Sequence, residues 1–291
     1  MNTIAWIHNR SAQSWTEGRW GAAAELPLPS DARGLLLAEG VFETVLVLDG
    51  RPRLLQAHHR RWGEGAMLLG LPLPPPLAAA EALVQEAIAR SGIGTGAMRL
   101  NWCRGSGPRG LAAPDPDHER ADGTLFWLQL SALAPAFGPV TVIISPTEVR
   151  QVSSLLSRCK SFGYGSALIA RRQAYNASAD DALLLSSNGD LCCATSANLL
   201  VQIDNHWHTP PVASGCLAGT MRQRALELGL AQDSCLSAGD LEHSTGALLL
   251  NSLGCRPISR LGQAELPGPQ GQEAVARAEQ LWRRLLNGDD G

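Results

Sequence analysis

Two dipeptides, Asp49-Gly50 and Asn188-Gly189, each close a run of apolar and β-branched residues, and they stand in opposite halves of the chain. Turns of this composition accept positive φ and match the twist of paired strands, so each marks an antiparallel hairpin. The first joins 41–48 to a return strand near 53–55, and the second joins 182–187 to a long arm over 190–203. A chain of 291 residues that starts sheets at two such distant places is expected to form two domains. The Ala/Pro/Gly stretch 134–139 is the expected linker, leaving a small N-terminal domain at 1–133 and a larger one at 140–291. Helical composition appears at 57–69, 76–90, 166–176, 217–230 and 269–286, and further strands at 97–103, 125–130 and 140–145. The fold class is therefore α+β. The stretch 105–123, rich in Gly, Pro and Asp, has no periodicity and reads as a functional or disordered loop.

Composition narrows the function. With 45% hydrophobic and 18% charged residues the chain is not disordered, and no apolar run approaches the ~20 residues of a membrane helix. A formal net charge of −3 argues against a nucleic-acid surface and for a small, uncharged-to-anionic ligand. The seven cysteines are odd in number and unevenly spaced, and the first residues show no leader pattern, so a reducing cytoplasmic setting is expected. Neither the cysteines nor the histidines, His58-His59 included, have zinc spacing, and no metal is expected.

One further oddity points to chemistry. Of 24 Lys and Arg residues only one, Lys160, is a lysine. Arginine substitutes for lysine on most solvated surfaces, but a guanidinium cannot attack an aldehyde as a primary amine can. Lys160 precedes the turn Ser161-Phe-Gly-Tyr-Gly165, an element boundary where an amine could reach a bound cofactor.

Around it lie several motifs in one order: Gly40-Val-Phe-Glu-Thr44 before Asp49-Gly50, then Leu54-Leu-Gln-Ala-His-His-Arg-Arg61, then Arg104-Gly-Ser-Gly-Pro-Arg-Gly110. Lys160, Gly189-Asp-Leu-Cys-Cys-Ala-Thr-Ser-Ala-Asn198, Thr209-Pro210, Gly219-Thr-Met-Arg222 and Asn251-Ser-Leu253 follow. As an ensemble over most of the chain, from about Gly40 to Pro257, they resemble the class IV pyridoxal-phosphate enzymes. These include branched-chain aminotransferases, D-amino-acid aminotransferases and 4-amino-4-deoxychorismate lyases.

The resemblance implies the two-domain fold of the D-amino-acid aminotransferases, its second domain with a β-barrel-like core, and pyridoxal 5′-phosphate as cofactor. It implies that Lys160 is the catalytic covalent anchor and that Arg61, Thr220, Met221 and Ser252 hold the phosphate. Tyr164, one residue away from the family's tyrosine, is placed near the cofactor's phenolic oxygen, with core packing as the alternative. Phe42, Arg104 and Arg109 fall on the substrate side; for the two arginines a surface role and a substrate carboxylate are equal alternatives. His58 reads as a packing or hydrogen-bonding residue. A homodimer with its active site between the two domains, acting on a small-molecule amine and on neither nucleic acid nor membrane, is also implied.

The largest departure is Cys193. The family has a glutamate there that keeps the cofactor's pyridine nitrogen protonated, and a thiol with an ordinary pKa of ~8.5 cannot enforce that proton. A lyase reaction, in which the product ring becomes aromatic as pyruvate leaves, makes the smaller demand on the cofactor. The expected activity is thus the aminodeoxychorismate lyase of folate biosynthesis, with a class IV aminotransferase for branched-chain or D-amino acids as the alternative. A non-catalytic cofactor-binding homologue is the third reading.

Overall fold

The computed structural model describes residues 3–8, 14–107, 110–112 and 123–287. They form two compact units, one of Met1–Ala134 with Cys159–Gly163, the other of Pro135–Arg158 with Tyr164–Gly291.

The first unit contains strands β1 (Thr3–His8), β2 (Gly18–Gly21), β3 (Gly40–Leu48), β4 (Arg51–Pro52), β5 (Gly96–Arg104) and β6 (Thr124–Ala132). Its helices are α1 (Arg33–Leu36), α2 (Leu55–Leu68) and α3 (Leu77–Ser91). The strands make one sheet in the order β2-β1-β6-β5-β3-β4, every pair antiparallel. Asp49 and Gly50 have φ of 54° and 70°, the signs a tight two-residue hairpin turn requires. Period-two alternation puts Val41, Val45 and Val47 in the core with Trp62 and Ala66 of α2 and Leu83, Val84 and Ala87 of α3. Glu43 falls on that same face, the one ionisable residue in an otherwise apolar row.

The second unit contains β7 (Val140–Arg150), β8 (Asp181–Ser186), β9 (Leu191–Ala194), β10 (Asn198–Ile203), β11 (His206–Thr209), β12 (Ala231–Asp233), β13 (Gly246–Asn251), β14 (Gly254–Leu261) and β15 (Ala264–Glu265). Its helices are α4 (Leu155–Arg158), α5 (Gly165–Asn176), α6 (Thr220–Glu227), α7 (Ala238–Glu242) and α8 (Gly271–Asn287). Six strands close on themselves in the cycle β10-β13-β14-β7-β8-β9-β10, the barrel expected for this half. Closure removes the open strand edges, and Val142, Leu183, Leu199, Val201, Leu249 and Ile258 supply its core.

Two expectations are corrected. The arm expected to run unbroken over 190–203 is two antiparallel strands that reverse at 195–197 and pair at Asn198 with Cys193. A half-buried network ties the reversal down: Thr195 Oγ1 donates to Asp181 Oδ1 at 2.6 Å, and Arg171 donates to Thr195 Oγ1 and, at 2.7 Å, to Asp181 Oδ2. The partition at 134–139 also misplaces Lys160. Residues 159–163 pack with the first unit because they add to the open edge of β3: the Phe42 N–H donates to Lys160 O and the Phe162 N–H to Gly40 O, each at 2.9 Å.

Candidate active site

Close approach of the lysine segment depends on Gly40, where a Cβ would lie 2.5 Å from both Cys103 Cβ and the Phe162 ring. The bridge between Val41 and Ser161 then brings Lys160 beside β3. Its Nζ lies 4.5 Å from the centre of the Phe42 ring, and Arg99 Cζ lies 3.5 Å from the same ring. Arg99 belongs there because it opposes Thr44 in the β3–β5 register, on the face that also carries Phe42 and Asn101. The Lys160 residue keeps some exposure, but protein encloses its amine. Burial, then the charges of Arg61 and Arg99, lower the amine pKa to about 8 against the opposing pull of Glu43. A useful fraction of neutral amine is therefore present near pH 7, about one tenth.

Behind Phe42, Glu43 points the other way into α2. His58 and Arg61 are spaced by three and share one helix face. Arg61 grips Glu43 with both ends of its fork, Nε to Oε1 at 2.8 Å and Nη2 to Oε2 at 2.5 Å, while His58 Nδ1 meets Oε2 at 2.7 Å. Burial alone would raise the Glu43 carboxyl, but the Arg61 charge and the hydrogen bonds from His58 and Arg61 hold it at about 2. The acceptor-only carboxylate makes Nδ1 the protonated nitrogen of His58. Burial lowers the His58 pKa more than Glu43 raises it.

Both shifts make the unfolded chain bind more protons than the native one on acidification. Stability present above the ordinary histidine value of 6.5 should fall as pH drops below it, and fall again as Glu43 protonates between 4.5 and about 2. A His58→Gln variant should show a smaller drop in urea midpoint between about pH 7 and 5 than the wild type. An equal drop would mean that His58 does not contribute this proton uptake.

The second unit carries the other expected residues. Thr220 opens α6, and its Oγ1 lies 3.2 Å from Ser252 Oγ. Ser252 follows β13, whose end is tied down by the Trp282 Nε1–H donating to Asn251 O at 3.2 Å. Met221 is buried, as is Arg222, which anchors α6 by donating to Pro210 O and Asp233. Gly219 at the helix start offers no side-chain cap to α6. Cys193 is buried on β9 opposite Leu184 and Asn198. Tyr164 is half-buried at the start of α5, where its carbonyl accepts from the Leu168 N–H.

Of the two alternatives for Arg104, the surface role is corrected. Only 4% exposed, it donates to Glu39 Oε1 and to Gly70 O, and Glu39 also accepts from Arg33. A guanidinium held in this network braces the loop. Arg109 lies outside the described residues. Arg99, which the motifs passed over, is the exposed cation beside Lys160. Its signal was the β5 alternation, which turns it away from buried Met98 and Leu100 to the opposite face, the one that carries Phe42. Glu43 was likewise legible as an acid in an inward position of an apolar strand. Among the described residues no group of three or more His, Cys, Asp or Glu side chains could hold a metal ion. Nor is any described helix long and apolar enough to cross a membrane.

The amino-transferase class IV family model matches residues 40–261. A bifunctional aminodeoxychorismate lyase / D-amino acid transaminase of Mycobacterium tuberculosis is 27% identical over 249 residues, covering 78% of this chain and 82% of its own. A protein of Methanocaldococcus jannaschii provisionally named a branched-chain-amino-acid aminotransferase is 28% identical over 197 residues, 67% of each chain. Among solved structures, one from Legionella pneumophila provisionally named a 4-amino-4-deoxychorismate lyase is 27% identical with a TM-score of 0.77. It covers 89% of this chain and 97% of its own.

Proposed function

Because the chain belongs to the class IV amino-transferase family and is a pyridoxal-phosphate-dependent enzyme, we propose that its reaction is the lyase one: 4-amino-4-deoxychorismate to 4-aminobenzoate and pyruvate. The third reading, a non-catalytic homologue, falls with that membership. The observation that carries the proposal is Cys193.

The residues suit the cofactor in two of three respects. An amine lowered to about 8 suits an aldehyde, and paired hydroxyls of Thr220 and Ser252 at an uncapped helix start suit a phosphate. At the pyridine nitrogen the fit fails, since Cys193 offers no carboxylate. When bound, pyridoxal phosphate supplies an aldehyde for the substrate amine and a ring that draws electrons from the neighbouring carbon. With a thiol at position 193 that draw is weaker, which disfavours the reversible proton shuffling of transamination. Elimination has an independent driving force in the aromatic product ring.

The chain's own residues take these roles. Lys160 is the covalent anchor, and its Nζ then removes the ring proton next to the substrate amine. The electron pair of that C–H bond would become the last double bond of the aromatic ring as the ring C–O bond breaks, and the balance closes when a proton reaches the methylene of the departing enolpyruvate, which leaves as pyruvate. Thr220, Met221, Ser252 and Arg61 hold the phosphate, with Tyr164 near the cofactor's phenolic oxygen. Phe42 gives the amine a flat apolar wall, and Arg99, stacked on the same ring, gives a cation for a substrate carboxylate. The homodimer belongs to the same reading, and a solution mass of one 30.9 kDa chain would contradict it. So does a reducing cytoplasmic setting.

Aminotransfer is the second reading, supported by the relatives named for it. Incubation with 4-amino-4-deoxychorismate should release pyruvate and 4-aminobenzoate in equal amounts without any keto acid. Keto-acid-dependent amino transfer without pyruvate release would overturn the lyase reading. Cys193→Glu should raise whatever transaminase rate the wild type has, by about tenfold or more, if the missing acid is what limits it.

A further inference from the structure

Gly219 poses a question that its backbone does not answer. Its φ of −64° and ψ of 139° suit any residue, so conformation does not demand glycine here. Space does: a Cβ at this position would lie 1.9 Å from Asn198 Oδ1. The other end of that amide, Nδ2, donates to Leu217 O at 2.9 Å. Asn198 thus presses against both ends of the three-residue turn that delivers the chain into α6, while the Gly219 N–H closes the turn onto the same Leu217 O at 2.8 Å.

The position of Asn198 in the sheet makes it suited to this. It is the first residue of β10, where it makes the single pairing with Cys193 that completes the barrel, and on its other side it opposes Leu250 of β13. Ser252 comes two residues after Leu250. Asn198 is 7% exposed and held on both flanks by strands, so its amide is a fixed reference point against which a short turn can be set.

We propose that Asn198 is a positioning residue: it clamps the turn 217–219 so that the start of α6 and the Thr220–Ser252 hydroxyl pair keep a shape fitted to a phosphate ester. This rests on the phosphate role given above to Thr220, Met221 and Ser252. Asn198 itself need not touch the ligand; it acts through the turn.

The test compares two ligands on the cofactor-free protein, pyridoxal 5′-phosphate and pyridoxal, which lacks the phosphate, each titrated by quenching of tryptophan fluorescence. Asn198→Ala should weaken pyridoxal phosphate by about tenfold, the loss of roughly one hydrogen bond's worth of positioning, and leave pyridoxal unchanged. Gly219→Ala should weaken pyridoxal phosphate more, because its Cβ displaces the turn. The double variant Asn198→Ala/Gly219→Ala should bind it more tightly than Gly219→Ala alone, since deleting the amide makes room for the methyl group. The melting temperatures should follow the same order of damage and recovery, a readout that needs no ligand. Wild-type selectivity retained in Asn198→Ala would overturn the clamp, as would losses in the double variant that simply add. A wild-type protein with no preference for the phosphorylated ligand would overturn the phosphate reading itself, and the clamp's proposed purpose with it.

Discussion

Lys160→Ala should abolish turnover and, in the same protein, the visible cofactor band that borohydride bleaches. Loss of the proton carrier alone costs about 10²- to 10⁴-fold, and loss of the covalent anchor adds to it. The prediction is unusually clean because no other lysine exists to take over. Borohydride reduction of the loaded wild type should therefore tag one ε-amine, in the peptide that spans Cys159–Gly163. The lowered amine pKa of about 8 adds a pH signature: alkylation of the cofactor-free protein at Lys160 should rise through that value and not through 10.5. A tag on another peptide, or substantial activity in Lys160→Ala, would remove the foundation of the assignment.

Glu43→Gln is the second change expected to be severe, this time for stability. The carboxylate is fully buried and answers two partners, so its removal leaves the Arg61 fork and His58 facing a neutral amide. Breaking a buried ion pair from one side typically costs about 3–5 kcal/mol. The fold of the first unit should lose that much in urea titration, and Arg61 should lose its fixed orientation. Removing both charges together, as Glu43→Leu/Arg61→Leu, should recover most of the stability, because apolar side chains in such a place are often as stable as the pair. If the single and double variants fall by amounts that add, Glu43 and Arg61 are not a coupled unit. Cofactor affinity offers an independent reading, since the double variant, though stable, has lost a proposed phosphate ligand.

Much of this protein was readable along the chain. Helices expected at 57–69, 76–90 and 166–176 correspond to Leu55–Leu68, Leu77–Ser91 and Gly165–Asn176. Their apolar periodicity, and the glycines Gly70 and Gly92 that follow the first two, are local signals. The helix expected over 217–230 is shorter, Thr220–Glu227, because the residues before it form the turn against Asn198. Site residues were legible where chemistry leaves few substitutes, as at the single lysine, and illegible where the role depends on a distant partner. Arg104 has the motif context of a substrate residue, yet Glu39 lies 65 residues before it and claims its guanidinium. Arg99 has no motif context and was missed, although the register with Thr44 brings it to the Phe42 ring.

By itself the sequence determined the five longest helices, the two hairpin turns, the α+β class and the one amine able to anchor an aldehyde. These depend on alternation, turn chemistry and side-chain reactivity, all of which act within a few residues. Tertiary structure alone decided that Lys160 belongs with the first unit, that the arm after Asn188-Gly189 folds back to close a barrel, and that Glu43 binds Arg61 and His58. Each of these joins segments far apart in the chain, as when the Cys159 thiol meets Gly65 O 94 residues away. No local preference specifies such a meeting. It follows from which strand edge is left open and which buried charge needs a partner once the sheets have formed.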